Sequence, residues 1–158
     1  MPDTNGVAIG ALSESDAAAF AKIMQEQNAK DAVIGGVDAY SEEDAREFIK
    51  LSVLKMPQER HYAIRHNGVL VGICAIYNAN IQSGRAEIGY IIDSKYRGMG
   101  YAKFAINALT KMLSIEGFKS AIAHSKKDNI QSNKALLACG FEAHYNKEKM
   151  LTFQKHLS

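Results

Sequence analysis

The stretch SKYRGMGYAKF, residues 94–104, places Arg97, Gly98 and Gly100 where an apolar strand leads into a periodic helix. N–H groups in the first turn of a helix lack partners within it, and the helix dipole adds partial positive charge there. Glycines let a bulky anion approach that backbone, and an arginine can add a cation for a diphosphate. The pattern predicts an anion site, although a glycine-rich turn with a solvated arginine would look the same. It matches neither G-x-x-x-x-G-K-[ST] nor a G-x-G-x-x-G that opens a βαβ unit.

Periodicity along the chain predicts the elements that must position this stretch. Alternating apolar residues predict strands, and a 3.6-residue period with capping residues predicts helices. Asn67-Gly68 is a favoured pair for a type I′ hairpin turn, and Gly140 suits a left-handed helix C-cap. The predicted order is a strand near 7–12, helices over 14–29 and 41–55, strands over 61–66, 69–80 and 85–92, a helix from near 99, a strand over 119–125, a helix over 129–139 and two short strands within 142–156. This order, β-αα-βββ-α-β-α-ββ, predicts a mixed α/β sheet and not a repeating parallel βαβ array.

Length, composition and charge restrict the class of protein. The 158 residues favour a single domain over 1–158, with residues 1–6 as a short flexible tail. A net charge of +2 with dispersed basic residues gives no nucleic-acid footprint, and neither a signal peptide nor a membrane span is visible. Cys74 and Cys139 show no metal-ligand spacing, so two buried, reduced thiols and no metal site are expected. These features predict a soluble cytoplasmic protein.

Three short motifs follow one another in the second half of the chain. Residues 86–90 read AEIGY in a predicted strand, residues 98–102 read GMGYA at the helix start, and Asn129 and Ser132 form N-x-x-S ahead of Phe141. Each motif is weak alone. Their order and spacing resemble the GCN5-related N-acetyltransferase (GNAT) superfamily, most closely its branch of ribosomal-protein N-terminal acetyltransferases of the RimJ/RimL type. The resemblance covers residues 7–156.

The resemblance implies a fold and a co-substrate. The fold would be a mixed, mostly antiparallel central sheet flanked by helices, in which two neighbouring parallel strands splay into a V that binds acetyl-CoA. Ile91 and Ile92 would offer backbone groups to the pantetheine, near a bulge in their strand, and Asn129 would contact acetyl-CoA from the other side. The diphosphate would lie on the glycine turn, on Arg97, Gly98, Met99, Gly100, Tyr101 and Ala102.

The resemblance also implies direct attack of a primary amine on the thioester in a ternary complex, which requires a base for the amine and benefits from a proton donor for the thiolate. Glu87 is the candidate base. Period-2 alternation puts it on one strand face with Gly89 and Ile91, and puts Ala86, Ile88, Tyr90 and Ile92 on the other face. A carboxylate inside an otherwise apolar strand is poorly solvated, and this environment suits a general base. The alternative is a simple ion pair with a nearby cation, Arg85 or Lys95.

Ser132 occupies the branch's position for the proton donor to the thiolate. Many relatives outside the branch use a tyrosine four residues before the Gly-Phe pair, and that position is Leu136 here. The alternative role for Ser132 is ordinary capping, because it falls in the first turn of a predicted helix. A backbone N–H near Ile91 or Ile92 would serve the oxyanion.

Several further residues are expected around the acceptor amine. Tyr40 lies where this fold usually walls the acceptor site, with a purely structural aromatic as the alternative. Tyr77 and Asn78 could line the pocket from the third strand. Acids at the start of the second helix could attract a cationic amine, or simply complement the helix dipole. The five histidines are expected to be core or surface residues, with His124 nearest the cleft. The acceptor stays open between a small-molecule amine and a protein N-terminus, and a homodimer also stays open.

Two other functions fit the same residues. One is a catalytically inactive coenzyme A-binding or regulatory module of the same fold. The other is a glycine-loop nucleotide binder unrelated to acyl transfer. Retention of Glu87 and Ser132 argues against the inactive module, and the motif order argues against the nucleotide binder.

Overall fold

The computed structural model of the chain describes residues 5–26, 41–145 and 150–158. Within these ranges one sheet contains seven strands: β1 Val7–Ala11, β2 Arg60–His66, β3 Val69–Asn80, β4 Arg85–Ile92, β5 Ser120–Lys126, β6 Glu142–Tyr145 and β7 Met150–His156. The α-helices of the same ranges are α1 Ala17–Glu26, α2 Glu42–Leu51, α3 Tyr101–Ile115 and α4 Ile130–Ala138. Short 3-10 turns are found at Glu14–Asp16, Ser52–Lys55 and Ser94–Tyr96.

The sheet has the strand order β1-β2-β3-β4-β5-β7-β6. Every neighbouring pair is antiparallel except β4 and β5, which are parallel. The chain passes from β4 to β5 through α3, as a parallel connection requires. The predicted mixed, mostly antiparallel α/β fold is confirmed.

Both faces of the sheet are covered by helices. Ile88 of β4 and Leu109 of α3 belong to the buried cluster that joins one face to α3 and α4. Phe20 of α1 packs with Ile73 and Ile91 in the cluster on the other face, which also includes α2. The alternation predicted for residues 86–92 is confirmed, because Ile88 and Ile91 enter opposite clusters. We call the two sides the α3/α4 face and the α1/α2 face.

Two predicted turns have the backbone that their residue types favour. Asn67 and Gly68 have φ values of 50° and 84°, as a type I′ turn between β2 and β3 requires. Gly140 follows α4 with φ of 90°, and the Phe141 N–H donates to the Leu136 carbonyl oxygen at 3.1 Å. This bond returns the chain to the last turn of α4, and the Phe141 side chain is buried there.

Helix boundaries differ from the prediction where glycines or caps decide them. The helix expected from near residue 99 begins at Tyr101, because Gly98 and Gly100 take positive φ values of 75° and 87° that no α-helix contains. Ser41 caps α2 by accepting from the Asp44 N–H at 2.9 Å, as its spacing predicts. The helix expected to reach residue 55 ends at Leu51, and a 3-10 turn follows at Ser52–Lys55. The expected end of the first helix, residues 27–29, lies outside the described residues.

The cysteines behave as predicted. Cys74 and Cys139 are free and buried, and burial raises the pKa of each thiol. Across the described ranges, no helix is long and apolar enough to cross a membrane. In the same part of the chain no three acidic, histidine or cysteine side chains come together as a metal site.

Candidate active site at the parting of β4 and β5

Strands β4 and β5 separate after a short parallel ladder. They pair at Arg85 with Ser120, at residue 86 with residue 121, and at Glu87 with Ile122. Within the described strands no further ladder pair joins them, although β4 runs on to Ile92 and β5 pairs with β7 as far as residue 126. We call the gap beyond Glu87 the parting. The β5-facing edge of β4 in the parting can pair with an extended ligand.

The glycine turn lies at the end of β4 and opens α3. The Asp93 carboxylate accepts from the Lys95 N–H at 3.0 Å and starts a 3-10 turn. A Cβ atom built on Gly98 would meet nothing within 4 Å, so the space beside this backbone is open. The Phe104 N–H makes the first bond of α3, to the Gly100 carbonyl at 3.1 Å. The preceding amides therefore have no acceptor within the helix, which suits an anion.

Side chains of the turn divide between core and surface. The Tyr101 ring is buried, and its hydroxyl lies 2.5 Å from His66 Nδ1, so only its backbone N–H is available to a ligand. Arg97 and Met99 are exposed, and Ala102 is half-buried. An exposed Arg97 beside free helix amides can add its charge to theirs at a phosphate group.

Glu87 stands at the point where the parting begins, on the α1/α2 face. Its neighbours in register are Tyr77 on β3 and Ile122 on β5. Its Oε1 lies 2.8 Å from His124 Nε2, and its Oε2 accepts a hydrogen bond from Asn78 Nδ2. The ion pair with Arg85 or Lys95 is not the arrangement found, because His124 and Asn78 hold the carboxylate.

His124 extends this contact to the next strand. Its Nδ1 lies 3.2 Å from the Thr152 hydroxyl of β7, while its Nε2 faces Glu87. The His124 side chain is 38% exposed and that of Glu87 is 21% exposed, so both reach solvent. Through these two contacts, His124 links the Glu87 carboxylate to β7.

A bulge lies in β3, and the bulge expected in β4 beside Ile91 and Ile92 is wrong. The β3–β4 ladder is regular from Ile92 to Glu87, and the register shifts between Tyr77 and Asn80. Asn78 takes φ of 52° there, a left-handed conformation that asparagine tolerates. An extra residue in a strand redirects a side chain, so Asn78 reaches Glu87 on the face that strict alternation would deny it.

The second candidate catalytic residue, Ser132, lies on the α3/α4 face. Asn129 is the N-cap of α4 and accepts from the Ser132 N–H at 3.3 Å. Capping is therefore the role of Asn129 and not of Ser132. The Ser132 hydroxyl is instead 2.6 Å from the Tyr90 hydroxyl, and both residues are buried.

The residues expected around the acceptor are placed in part. Tyr40 lies outside the described residues. Tyr77 is beside Glu87, and burial, together with the Glu87 charge, raises the pKa of its hydroxyl above its usual range. Asn78 contacts Glu87 directly. Ile91 and Ile92 lie on the parted stretch of β4, on opposite faces.

Sequence reasoning assigned no role to His124 or Tyr90. Alternation along β5 would place His124 on the same face as Ile122. The β4–β5 register that brings His124 to Glu87, however, cannot be predicted from any local sequence pattern. Tyr90 stands inside the AEIGY motif and so carried a signal. Its partner Ser132 is 42 residues away in sequence.

Several solved structures share the fold of this chain. The RimL ribosomal L7/L12 α-N-protein acetyltransferase in complex with coenzyme A is 17% identical, with a TM-score of 0.83 over 99% of this chain and 97% of that one. The microcin C7 self-immunity acetyltransferase MccE, with acetyl-CoA and AMP, is 18% identical, with a TM-score of 0.82 over 97% and 93%. The spermidine N-acetyltransferase SpeG from Vibrio cholerae is 16% identical, with a TM-score of 0.78 over 96% and 94%.

No curated protein matches the chain significantly in sequence. The family model of the acetyltransferase (GNAT) domain, however, matches residues 7–142, most of the chain. With its mixed sheet and parted parallel pair, the chain therefore belongs to the GNAT acetyltransferase domain family.

Proposed function

We propose that the protein is an acetyl-CoA-dependent N-acetyltransferase that transfers the acetyl group to a primary amine by direct attack in a ternary complex. The parting of β4 and β5 directly after Glu87 carries this proposal. The candidate base, the open edge of β4 and the N-terminus of α3 all lie on the same short stretch of chain, between Glu87 and Tyr101. Membership of the acetyltransferase (GNAT) domain family supports the same reaction.

The residues around the parting fit a molecule with the chemistry of coenzyme A. Backbone amides of the glycine turn and α3, together with Arg97, would hold the diphosphate, with the open space beside Gly98 giving it access. Ile91 and Ile92 would pair with the amides of the pantetheine, and Asn129 would contact it from the α4 side. The Ser125 hydroxyl of β5 is fully buried, with no hydrogen-bond partner among the described residues. A buried polar group of this kind is satisfied when a ligand supplies its partner.

Glu87 would act as the general base. An alkylamine is mostly ammonium at neutral pH, so the nucleophile must lose a proton before it attacks. The contacts from Asn78 and His124 fix the carboxylate, and its partial exposure lets the proton pass on to solvent. Preorganisation of this kind lowers the cost of reaching the reactive geometry.

Ser132 would donate a proton to the departing thiolate. As the amine nitrogen bonds to the carbonyl carbon, the C–S bond breaks and its electron pair stays on sulfur. Glu87 removes a proton from nitrogen, and sulfur gains one from Ser132, whose hydroxyl is restored from water. Starting from the ammonium form, one proton is released to solvent in each turnover. Backbone N–H groups near Ile91 would stabilise the oxyanion.

The acceptor would approach from the α1/α2 face, because Glu87 and Tyr77 lie on that face. Asn78 would border the same space. The acids Glu42, Glu43 and Asp44 at the start of α2 would favour a positively charged amine. We propose either a small-molecule amine or a protein N-terminus. Among similar structures, one is named for the N-terminus of a ribosomal protein and another for spermidine.

The place of the reaction follows from its co-substrate. Acetyl-CoA is a metabolite of the cytoplasm, and two free cysteines are compatible with a reducing compartment. We therefore propose a cytoplasmic enzyme.

Thiol release from acetyl-CoA, followed with a disulfide dye, tests the proposal. The panel should include spermidine, an aminoglycoside and peptides with free alanine or serine N-termini. The two protein cysteines are buried, which keeps the background low. Turnover with at least one amine, and a thermal shift caused by acetyl-CoA but not by ATP, is the expected result.

Two other outcomes would replace the proposal. Tight acetyl-CoA binding with no turnover over a broad panel would indicate a catalytically inactive coenzyme A-binding module. Protection by ATP alone would indicate a nucleotide binder.

A further inference from the structure

Two buried hydroxyl groups, one on each side of the parting, lie within hydrogen-bond distance of each other. Only one of them has a role in the proposed mechanism. Tyr90 Oη and Ser132 Oγ are 2.6 Å apart, and each residue is 7% exposed. Tyr90 lies on the parted stretch of β4, three residues beyond Glu87. Ser132 lies in the first turn of α4, which follows β5. The hydrogen bond thus joins the two sides of the parting on the α3/α4 face.

The backbone of Ser132 is held independently of this bond. Its N–H donates to the Asn129 side chain at 3.3 Å, so the position of the residue in α4 is fixed by the cap. The direction of its hydroxyl then depends on rotation about one side-chain bond. A short hydrogen bond to a buried tyrosine sets that rotation.

The chemistry of the two hydroxyls decides which one donates. A phenol is a stronger acid than an alcohol and is the better donor. Burial raises the pKa of Tyr90 to about 12, with the Ser132 contact acting in the opposite direction, so the phenol keeps its hydrogen at neutral pH. The other nearby acceptor, the Ser132 carbonyl oxygen, is 3.4 Å away and makes only a weak bond. Tyr90 therefore donates to Ser132 Oγ.

We propose that Tyr90 is a positioning residue for Ser132: its hydroxyl occupies the serine oxygen and leaves the serine hydrogen free for the sulfur of departing coenzyme A. This inference rests on the proposed function, in which Ser132 is the proton donor. Tyr90 itself loses no proton in the step. The proton moves from Ser132 Oγ to sulfur as the C–S bond breaks, and water restores the serine.

A double-mutant cycle with Tyr90→Phe and Ser132→Ala tests the proposal. Ser132→Ala is expected to lower kcat by about 100-fold, at the lower end of the range for loss of an acid–base residue. Tyr90→Phe removes one hydrogen bond, so kcat should fall by about 3- to 10-fold, with KM for acetyl-CoA within about twofold of wild type. The double variant should be no slower than Ser132→Ala, because Tyr90 acts only through Ser132.

Tyr62→Phe is the matched control, since Tyr62 is a half-buried tyrosine of β2 packed against the same core cluster. Its kcat should stay at the wild-type value. If Tyr90→Phe does not fold, as judged by circular dichroism, Tyr90→Met removes the hydroxyl with a smaller and more adaptable side chain and replaces it in the cycle.

Each outcome of the cycle has one reading. Losses that multiply in the double variant, or a Tyr90→Phe enzyme with wild-type kcat, would overturn the inference while the proposed function stands. A wild-type protein without turnover on any amine would overturn both.

Discussion

Replacement of Glu87 by glutamine removes the proposed base and keeps the shape of its side chain. One carboxylate oxygen contacts Asn78 and the other lies 2.8 Å from His124 Nε2. The amide oxygen of glutamine can keep the contact with His124. The Asn78 amide can turn its own oxygen toward the new NH2 group. We therefore expect Glu87→Gln to fold with the stability of wild type.

The size of the effect follows from the chemistry that Glu87 supplies. Loss of a general base lowers the rate by about 10²- to 10⁴-fold. At about 1.36 kcal/mol for each factor of ten, this is about 2.7–5.4 kcal/mol of transition-state stabilisation. An amine with the pKa of a lysine, about 10.4, has about one molecule in 2,500 uncharged at pH 7. The deficit should therefore be largest near neutral pH and shrink as alkali deprotonates the amine.

Measurement of kcat/KM for the acceptor by thiol release, between about pH 7 and pH 10, separates a base from a structural residue. The Glu87→Gln profile should rise about tenfold per pH unit until the amine is free. Glu142→Gln, a change of an exposed acid on the edge strand β6, is the control and should follow wild type. A Glu87→Gln enzyme within about threefold of wild type at pH 7 would refute the role of Glu87 as base.

Three further changes probe the site and its support. Gly98→Asn adds a side chain to open space at a φ of 75° that asparagine tolerates. We expect KM for acetyl-CoA to rise about tenfold or more, while Gly68→Asn in the β2–β3 turn leaves it unchanged. Asn78→Gly suits the positive φ at the bulge and removes the amide that contacts Glu87, so kcat should fall by about 5- to 10-fold with an unchanged urea midpoint. Burial lowers the pKa of His61, so the unfolded chain binds more protons as pH falls below about 6.5 and stability is lost there. His61→Gln should weaken that acid dependence, measured as the difference in the free energy of unfolding between pH 7.5 and pH 5.5 in urea titrations. An equal difference in both proteins would contradict the assignment.

Short sequence patterns predict the turns, the helix caps and the two faces of a strand, because these features depend on residues that are close together in the chain. The type I′ turn at Asn67-Gly68 and the cap at Gly140 depend on residues that tolerate positive φ, and both are visible in the sequence. The two faces of β4 follow from alternation alone. Glu87 could therefore be placed on the correct face with no knowledge of its neighbours.

Relations between distant segments were not predictable in the same way. His124 reaches Glu87 only because β5 pairs with β4 in one register, and Tyr90 reaches Ser132 only because α4 packs over the parted strand. The bulge at Asn78 breaks the alternation on which its orientation would have been predicted. Strand register and the positions of bulges are decided by packing across the whole sheet, so the local sequence carries little signal for them.

The short β4–β5 ladder also bears on how the two parts of the sheet are held together. Three residue pairs are the only rungs, in the described part of the sheet, between a four-strand meander formed by β1 to β4 and a three-strand unit formed by β5, β7 and β6. Beyond Glu87 the two units are therefore held together by buried side chains, Ile88 of β4 and Phe153 of β7 among them, and not by strand pairing. A molecule that fills the gap and bonds to both margins supplies the missing rungs. Its binding then stabilises the folded protein, because it joins two strand edges that are not hydrogen-bonded to each other beyond Glu87.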